Sequence, residues 1–382
     1  MNRILQIDWY SIQYTVDEFS RTLYSFPVHI RFLIGVTVLF LIFIFILLNV
    51  ILGSRIYKTK LLGKRKKLRE RYKPLLTQLL FEDDSLLLDP ALENKFDAED
   101  LSKKYHRSII SDEIIHLHEN FTGETASRLE LLFVKLGLHH DSLEKTKNKR
   151  WYIAAKGMRE LALMNVKESV VHLAEFLNHK NDILRMEARI SIMKLSADEP
   201  LSFLSRIKEP LSSWDQANIY GMLNKMPEQM IPDFSTWLNS PNKSVVQFCI
   251  LMIGAFRQQD SKGVLIHMLD HEDEKVRMAV IKALRELNAY ASEEKLINMY
   301  PLETEDIQYE IVKTLEAVGK EHSAGLMEKI LKQPVKNYSI SIQAVKTFLA
   351  TAESGKQRLD HLLESSNPQL QLIVQHAQDK RL

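Results

Sequence analysis

The strongest constraint on this 382-residue chain is a register that returns about every 31 residues from Lys149 onward. It is clearest in VRMAVIKALREL (Val276 to Leu287). Units start at Ile153, Leu184, Asp215, Val245, Val276, Ile307, Ile340 and Leu370, at intervals of 31, 31, 30, 31, 31, 33 and 30 residues. Eight positions into the units stand Leu161, Ile192, Leu223, Ile253, Leu284, Leu315, Phe348 and then Gln378; eleven positions in stand Met164, Leu195, Met226, Phe256, Leu287, Val318, Thr351 and Arg381. A side chain that recurs at 0, 4, 8 and 11 lies on one helix face. Shorter helical stretches such as SVVHLAEFLNHK, MIPDFSTWLNS, SKGVLIHMLDHE and AGLMEKILKQP lie between. Each unit therefore reads as two antiparallel helices, and stacking the units buries a core that no unit could build alone. The expected class is all-α, with an α-solenoid over residues 149–382 whose last unit turns polar as a terminal cap must.

The units resemble HEAT repeats of the short bacterial type, the PBS-lyase HEAT-like repeats. The resemblance rests on DHEDEKVRMAVIKALREL and HKNDILRMEARISIMKL, in which an acidic turn residue precedes a V/L-R pair. It implies that Asp182 with Arg185, and Asp273 with Arg277, cross-link neighbouring units. Gln216, Val246, Gln308, Ser341 and Gln371 replace the Arg elsewhere, and Asp215 replaces the first apolar residue.

A second feature sets location. Phe32 to Leu52, FLIGVTVLFLIFIFILLNVIL, has no ionisable side chain in 21 residues, and as a helix it covers about 30 Å, the hydrocarbon thickness of a bilayer. Three basic residues precede it (Arg3, Arg21, Arg31), whereas residues 55–73 hold ten. Basic residues resist translocation, so the expected topology is single-pass in the cytoplasmic (inner) membrane, N-terminus outside and the long C-terminal part inside. The expected divisions are a short extracytoplasmic or interfacial segment over 1–31, the span over 32–52, a basic juxtamembrane helix over 53–81, and a helical adaptor over 82–148. Residues 83–100 read as an acidic loop within it, and residues 99–118 and 124–136 as helices without clear repeats. Ser25 and Pro27 are expected to open the spanning helix, with Pro at its first position.

Charge narrows the partners. The net charge of +2 conceals a neck of net +9 over residues 55–73 and a remainder of net −7 from Pro74 onward. The neck residues Lys64, Arg65, Lys66, Lys67, Arg69 and Arg71 are placed to set topology and to attract anionic lipid, at about 1 kcal/mol per basic side chain near the surface. An acidic solenoid argues against nucleic acid. One cysteine, Cys249, excludes an internal disulfide and suits a reducing compartment. No motif supplies convergent catalytic groups. His116 with His118, His139 with His140, and His267 with His271 lack a third ligand within reach. The expectation is therefore a non-enzyme with no cofactor, no metal and no small-molecule substrate.

What remains is a binding surface. Trp151, Tyr152, Trp214, Tyr220 and Trp237 are candidate anchors for a protein partner, the alternative for each being a place in the core between units. The arrangement as a whole, one span, a basic neck and then NKRWYIAAKGMRELALM, SSWDQANIYGML and LNSPNKSVVQFCILMIGAF, is similar to membrane-anchored HEAT-repeat proteins of bacteria. The composite reading is a membrane scaffold whose cytoplasmic solenoid holds a membrane-associated protein. The resemblance implies a second reading, a non-catalytic regulatory subunit of a membrane enzyme complex such as an exopolysaccharide-synthesising glycosyltransferase. A HEAT-type lyase ranks below both, since it needs a bilin cleft on a soluble chain.

Overall fold

Helix α1 opens at Pro27, whose carbonyl accepts from the amides of Ile30 and Arg31 at 3.0 and 3.1 Å, and runs unbroken from Val28 to Phe81 in the computed structural model. Pro27 thus holds the cap position and not the first helical one. Described are residues 24–81, 96, 101–196, 198–364 and 368–378, together with 13–14, 17–18 and 21–22. The segment expected over 1–31 and the acidic loop expected over 83–100 lie largely outside them. At 54 residues, α1 is about 80 Å long. By length and composition its apolar part can cross a membrane. Neither Gly53, Gly63 nor Pro74 interrupts the helix; Pro74 removes only its own amide from the ladder.

The described residues form helices without strands, and the chain divides into two compact units, residues 1–129 and 130–382. In the first, the last turns of α1 bury Tyr72, Leu76, Leu79 and Leu80, and α1 packs on α2 (Lys104–His118), which buries Ile109, Ile110 and Ile114. Helix α3 spans Glu124–Lys135 and ends before Gly137, whose φ of +67° is a left-handed termination suited to glycine.

The second unit is the solenoid. One layer consists of α5 (Trp151–Leu163), α7 (Asp182–Leu195), α8 (Ser213–Leu223), α9 (Lys243–Ala255), α11 (Glu274–Glu286), α13 (Glu305–Val318), α15 (Tyr338–Thr351) and α17 (Pro368–Gln378). The other contains α4 (Leu138–Thr146), α6 (Val170–Leu173), α10 (Lys262–His267), α12 (Glu293–Met299), α14 (Glu321–Lys332) and α16 (Gly355–Glu364), several of them extended by 3-10 turns. Helices of the first layer pack in succession, α9 on α11, α11 on α13, α13 on α15 and α15 on α17. Ile253, Leu284, Leu315 and Phe348, all at the eighth position, are fully buried.

Polar contacts repeat with the same period. Ser191, Thr314 and Thr347 stand seven positions into their units and donate to the carbonyls of Met158, Ile281 and Val312, each five positions into the unit before, at 3.4, 3.3 and 2.9 Å. Buried hydroxyls thus satisfy themselves across the joint and fix the offset between helices. Asn181, Ser212, Asn242, Asp273 and Asn337 cap the first-layer helices through their side chains. Asn165, Arg257 and Asn288 occupy equivalent left-handed positions after the helices, at φ of 50°, 51° and 52°. The amides that follow bond back to Leu161, Ile253 and Leu284, closing Schellman turns. Glu293 of α12 accepts from the amides of Lys320 and Ser323 at 2.7 and 3.1 Å and from the Ser323 hydroxyl at 2.7 Å, so one unit caps α14 in the next.

Three outcomes follow for stability. Leu284→Ala removes a fully buried side chain and is expected to cost about 2–5 kcal/mol, whereas Gln378→Ala, on an exposed face, is expected to cost little; equal losses in chemical denaturation would refute the register. Arg257→Gly relieves a left-handed backbone at an exposed position and is expected to add about 0.5–1 kcal/mol, with a smaller gain for Asn288→Gly because Asn tolerates that region better. Burial pushes the Glu293 carboxyl up, but its three hydrogen bonds win and hold it below the usual carboxylate range. A depressed folded-state value contributes stability that is present above the unfolded Glu value, about 4.3, and is lost as pH falls through the folded one. The deficit of Glu293→Gln relative to the parent should thus be constant above about pH 5 and shrink below about pH 4 in denaturation series.

Candidate functional site

The neck has two kinds of cation. Arg65 pairs with Asp112, and the Arg69 Nε lies 2.6 Å from the Glu113 carboxylate, which is buried in α2. Arg71 stacks near the Tyr72 ring, and Lys66 lies 3.8 Å from Glu70 one turn on. Lys64 and Lys67 instead line an open hollow of about 480 Å³ together with Leu61, Leu68, Tyr105 and His106. Of the six basic positions singled out from the sequence, two are therefore engaged in holding α2.

The turn residues divide as well. Arg277 donates to the carbonyls of His271 and Glu272 at 2.9 and 3.1 Å and forks onto Glu303, at the start of the following unit, at 2.7 and 2.8 Å. Asp273 caps α11 and lies 3.4 Å from Lys243 of the preceding unit. Arg185 donates to the carbonyls of His179 and Lys180 at 2.8 and 3.2 Å, which closes the turn of its own unit. Asp182 accepts from the neighbouring amide of Ile183 at 2.9 Å, and the cap is Asn181, one residue earlier. Arg107 of α2 makes the same clamp on Leu101 and Ser102 at 2.9 and 3.0 Å. Sequence reasoning missed it, although an Arg four residues past a helix cap was the available signal. Gln216 and Gln308, at the Arg position of their units, also donate to turn carbonyls, those of Leu211 and Tyr300.

The aromatics are mostly on the surface. Trp151 and Tyr152 are 45% and 52% exposed at the start of α5, their rings edge to face. Trp214 is 67% and Tyr220 38% exposed on α8. Trp237 is half-buried and donates its indole N–H to Ser205 at 3.0 Å, which makes it a tie between segments. Helix α8 buries only Asp215, Ile219 and Leu223. Tyr220 stands at the fifth position, where Met158, Arg189, Ile250, Ile281, Val312 and Val345 are buried in six of the other units. Ala217 and Gly221 on the same helix are exposed too, and a Cβ added at Gly221 would meet nothing within 4 Å. What anchors α8 is a buried ion pair: Arg189 of α7 reaches Asp215 at 2.8 Å, and Asp215 also accepts from the Ser212 amide and hydroxyl at 3.0 and 2.7 Å in a capping box. Burial lowers the Arg189 value against the pull of Asp215. Asp215 thus replaces an apolar residue because it serves as both cap and counter-ion.

Chemistry of other kinds has little material here. Burial pushes the Cys249 thiol well above its ordinary value, which leaves it protonated and inert. His139 and His140 face one another at 3.9 Å, and His271 accepts from the Asp273 amide. Among the described residues, no three His, Cys, Asp or Glu side chains converge as a metal site requires.

Comparison with known proteins gives one family. The model of HEAT repeats matches residues 231–316. Among solved structures, the chain is similar to an engineered protein from the Northeast Structural Genomics Consortium, at 14% identity over 72% of this chain and 86% of that one, with a TM-score of 0.36. It is also similar to the complex of CpcE and CpcF of phycocyanin lyase from Nostoc sp. PCC7120, at 14% identity over 67% of this chain and 94% of that one, with a TM-score of 0.26. No curated protein matches the sequence. The chain thus carries HEAT repeats over residues 231–316, in the midst of stacked helix pairs of near-constant period.

Proposed function

We propose that the chain is a single-pass membrane scaffold, N-terminus outside, whose cytoplasmic solenoid holds a protein partner at the inner face of the membrane. The observation that carries this reading is the open face of α8, where Trp214, Ala217, Tyr220 and Gly221 leave apolar surface uncovered within the solenoid. Large aromatics on such a surface are the usual anchors of protein recognition, and contiguous exposed apolar area marks an interaction site. The anchor is α1, and anionic headgroups are held by Lys64 and Lys67, which the pairing of Arg65 and Arg69 with α2 leaves available. Duty of this kind is binding without turnover, and no cofactor enters it.

The test places a photo-crosslinking residue at position 214 of the full chain in intact cells, with position 290, exposed on the other layer, as the comparison. A product of defined size is expected at 214 and not at 290, and Tyr220→Ala is expected to reduce its yield at least several-fold. Absence of any protein product at both positions overturns the scaffold reading. In the same cells, a reporter active only outside the cytoplasm and fused after Leu382 is expected to be silent; activity there overturns the orientation.

A further inference from the structure

The apolar stretch of α1 is not uniform around its axis. Phe32 to Leu52 holds two polar side chains, Thr37 and Asn49. The Thr37 hydroxyl donates to the Leu33 carbonyl at 2.9 Å, one turn back in the same helix. Asn49 donates one N–H in the same way, to the Phe45 carbonyl at 2.8 Å. A carboxamide has a second N–H and an acceptor oxygen besides, and among the described residues neither has a partner. The bond to Phe45 aims the side chain back towards the middle of the stretch, away from the basic neck and its water. Gly35 and Gly53 also sit inside the helix, where glycine is destabilising relative to alanine, and a Cβ at either would meet nothing within 4 Å of its own chain. At about 3.6 residues per turn, Gly35, Val38, Ile42, Phe45 and Gly53 fall within about 40° of Asn49 around the axis. Helix α2 lies on the other side, since Arg65, Arg69 and Tyr72, which bond to it, stand about 140–160° around from Asn49.

Resting on the single-pass membrane reading, we infer that α1 pairs within the bilayer with α1 of a second copy of this chain, parallel and in register, through the face that Asn49 marks. Self-complementarity names the occupant. A two-fold axis along the membrane normal sets Asn49 against Asn49 at one depth, and each carboxamide donates its remaining N–H to the oxygen of the other. The groups left over in each copy are thereby satisfied, which acyl chains, having neither donor nor acceptor, cannot do. All copies insert the same way round, so the pair is parallel. The spacing fits that geometry. Gly35, Ile42 and Asn49 recur every seven residues with Val38, Phe45 and Leu52 between them, the a and d positions of a two-stranded pair in which a single polar a residue fixes the register. Gly35 and Gly53 let the two backbones close in. Beyond Leu52 the same face carries Lys60 and Lys67, so like charge parts the necks and confines the pairing to the apolar stretch.

The experiment reconstitutes the full chain in phosphatidylcholine vesicles as a mixture of donor-labelled and acceptor-labelled copies and reads resonance energy transfer against dilution in lipid. Transfer with the stoichiometry of a dimer is expected. Asn49→Val is expected to weaken the pairing at least tenfold, Asn49→Gln, which keeps both donor and acceptor, less than threefold, and Thr37→Val, on another face, less than twofold. Single cysteines in α1 give a second reading that leaves Asn49 in place, and the native Cys249 is buried and stays out of the reaction. Oxidation in membranes is expected to yield a disulfide dimer with Val38→Cys, Ile42→Cys and Phe45→Cys, and at least fivefold less with Phe40→Cys and Leu47→Cys. Equal yields on both faces, no loss with Asn49→Val, trimers or larger assemblies, or crosslinking to a different protein alone overturns the self-pairing. Extraction with alkaline carbonate separates this from the membrane reading. A chain that resists extraction and stays monomeric overturns the pairing alone, whereas a chain released by carbonate overturns the membrane reading and the pairing with it.

Discussion

A pair of helices about thirty residues long cannot cover its own apolar face, and coverage by the next pair is the interaction on which everything else in the solenoid depends. Leu284 and Leu315 are fully buried only because units stand on both sides of them. Apolar contact alone would let neighbouring helices slide, since methyl groups accept many offsets. The hydroxyls of Ser191, Thr314 and Thr347 remove that freedom, because each has a single carbonyl within reach in the preceding unit. Charged pairs at the same joints, Arg159 with Glu187 and Arg285 with Glu310, act at the half-exposed margin and are worth less each.

The period, the helix pairs and the burial of the eighth position were legible because they follow from helical geometry and apolar spacing. The caps and the Schellman turns were less so. A left-handed Arg257 carries no compositional signal, and its equivalence to Asn165 and Asn288 emerges only once the units are superimposed by register. The second layer also read as plain helices where 3-10 turns break it, such as Lys167–Ser169 and Ala174–Phe176 around α6, because a four-residue helix cannot be told from a longer one by periodicity. Asp215 looked like a flaw in the pattern. Its meaning required knowing that Arg189, 26 residues earlier, is buried against it.

For the candidate site, residue types were legible and their allegiances were not. All six neck positions look alike in sequence, as consecutive cations do. Asp112 and Glu113 claim Arg65 and Arg69 on one side of α1 and leave Lys64 and Lys67 beside Leu61 and Leu68. The aromatic candidates separate in a similar way. Trp214 and Trp237 have the same chemistry, yet one is uncovered and the other is tied to Ser205. Which of them a neighbour covers depends on the missing bulk around α8, a property of packing between units rather than of either residue.

The continuity of α1 has a mechanical side. A hinge between the apolar stretch and the turns that bury Tyr72, Leu76 and Leu79 would let that stretch tilt and spin without consequence for the folded part of its own unit. No such hinge exists: hydrogen bonding runs from Val28 to Phe81 through both glycines, and Pro74 omits one bond without ending the helix. The rod is therefore torsionally coupled along its length. Each turn of α1 about its axis sweeps Tyr72 and Leu76 through the same angle, and the Arg65 and Arg69 pairs pass that twist on to α2 as torque.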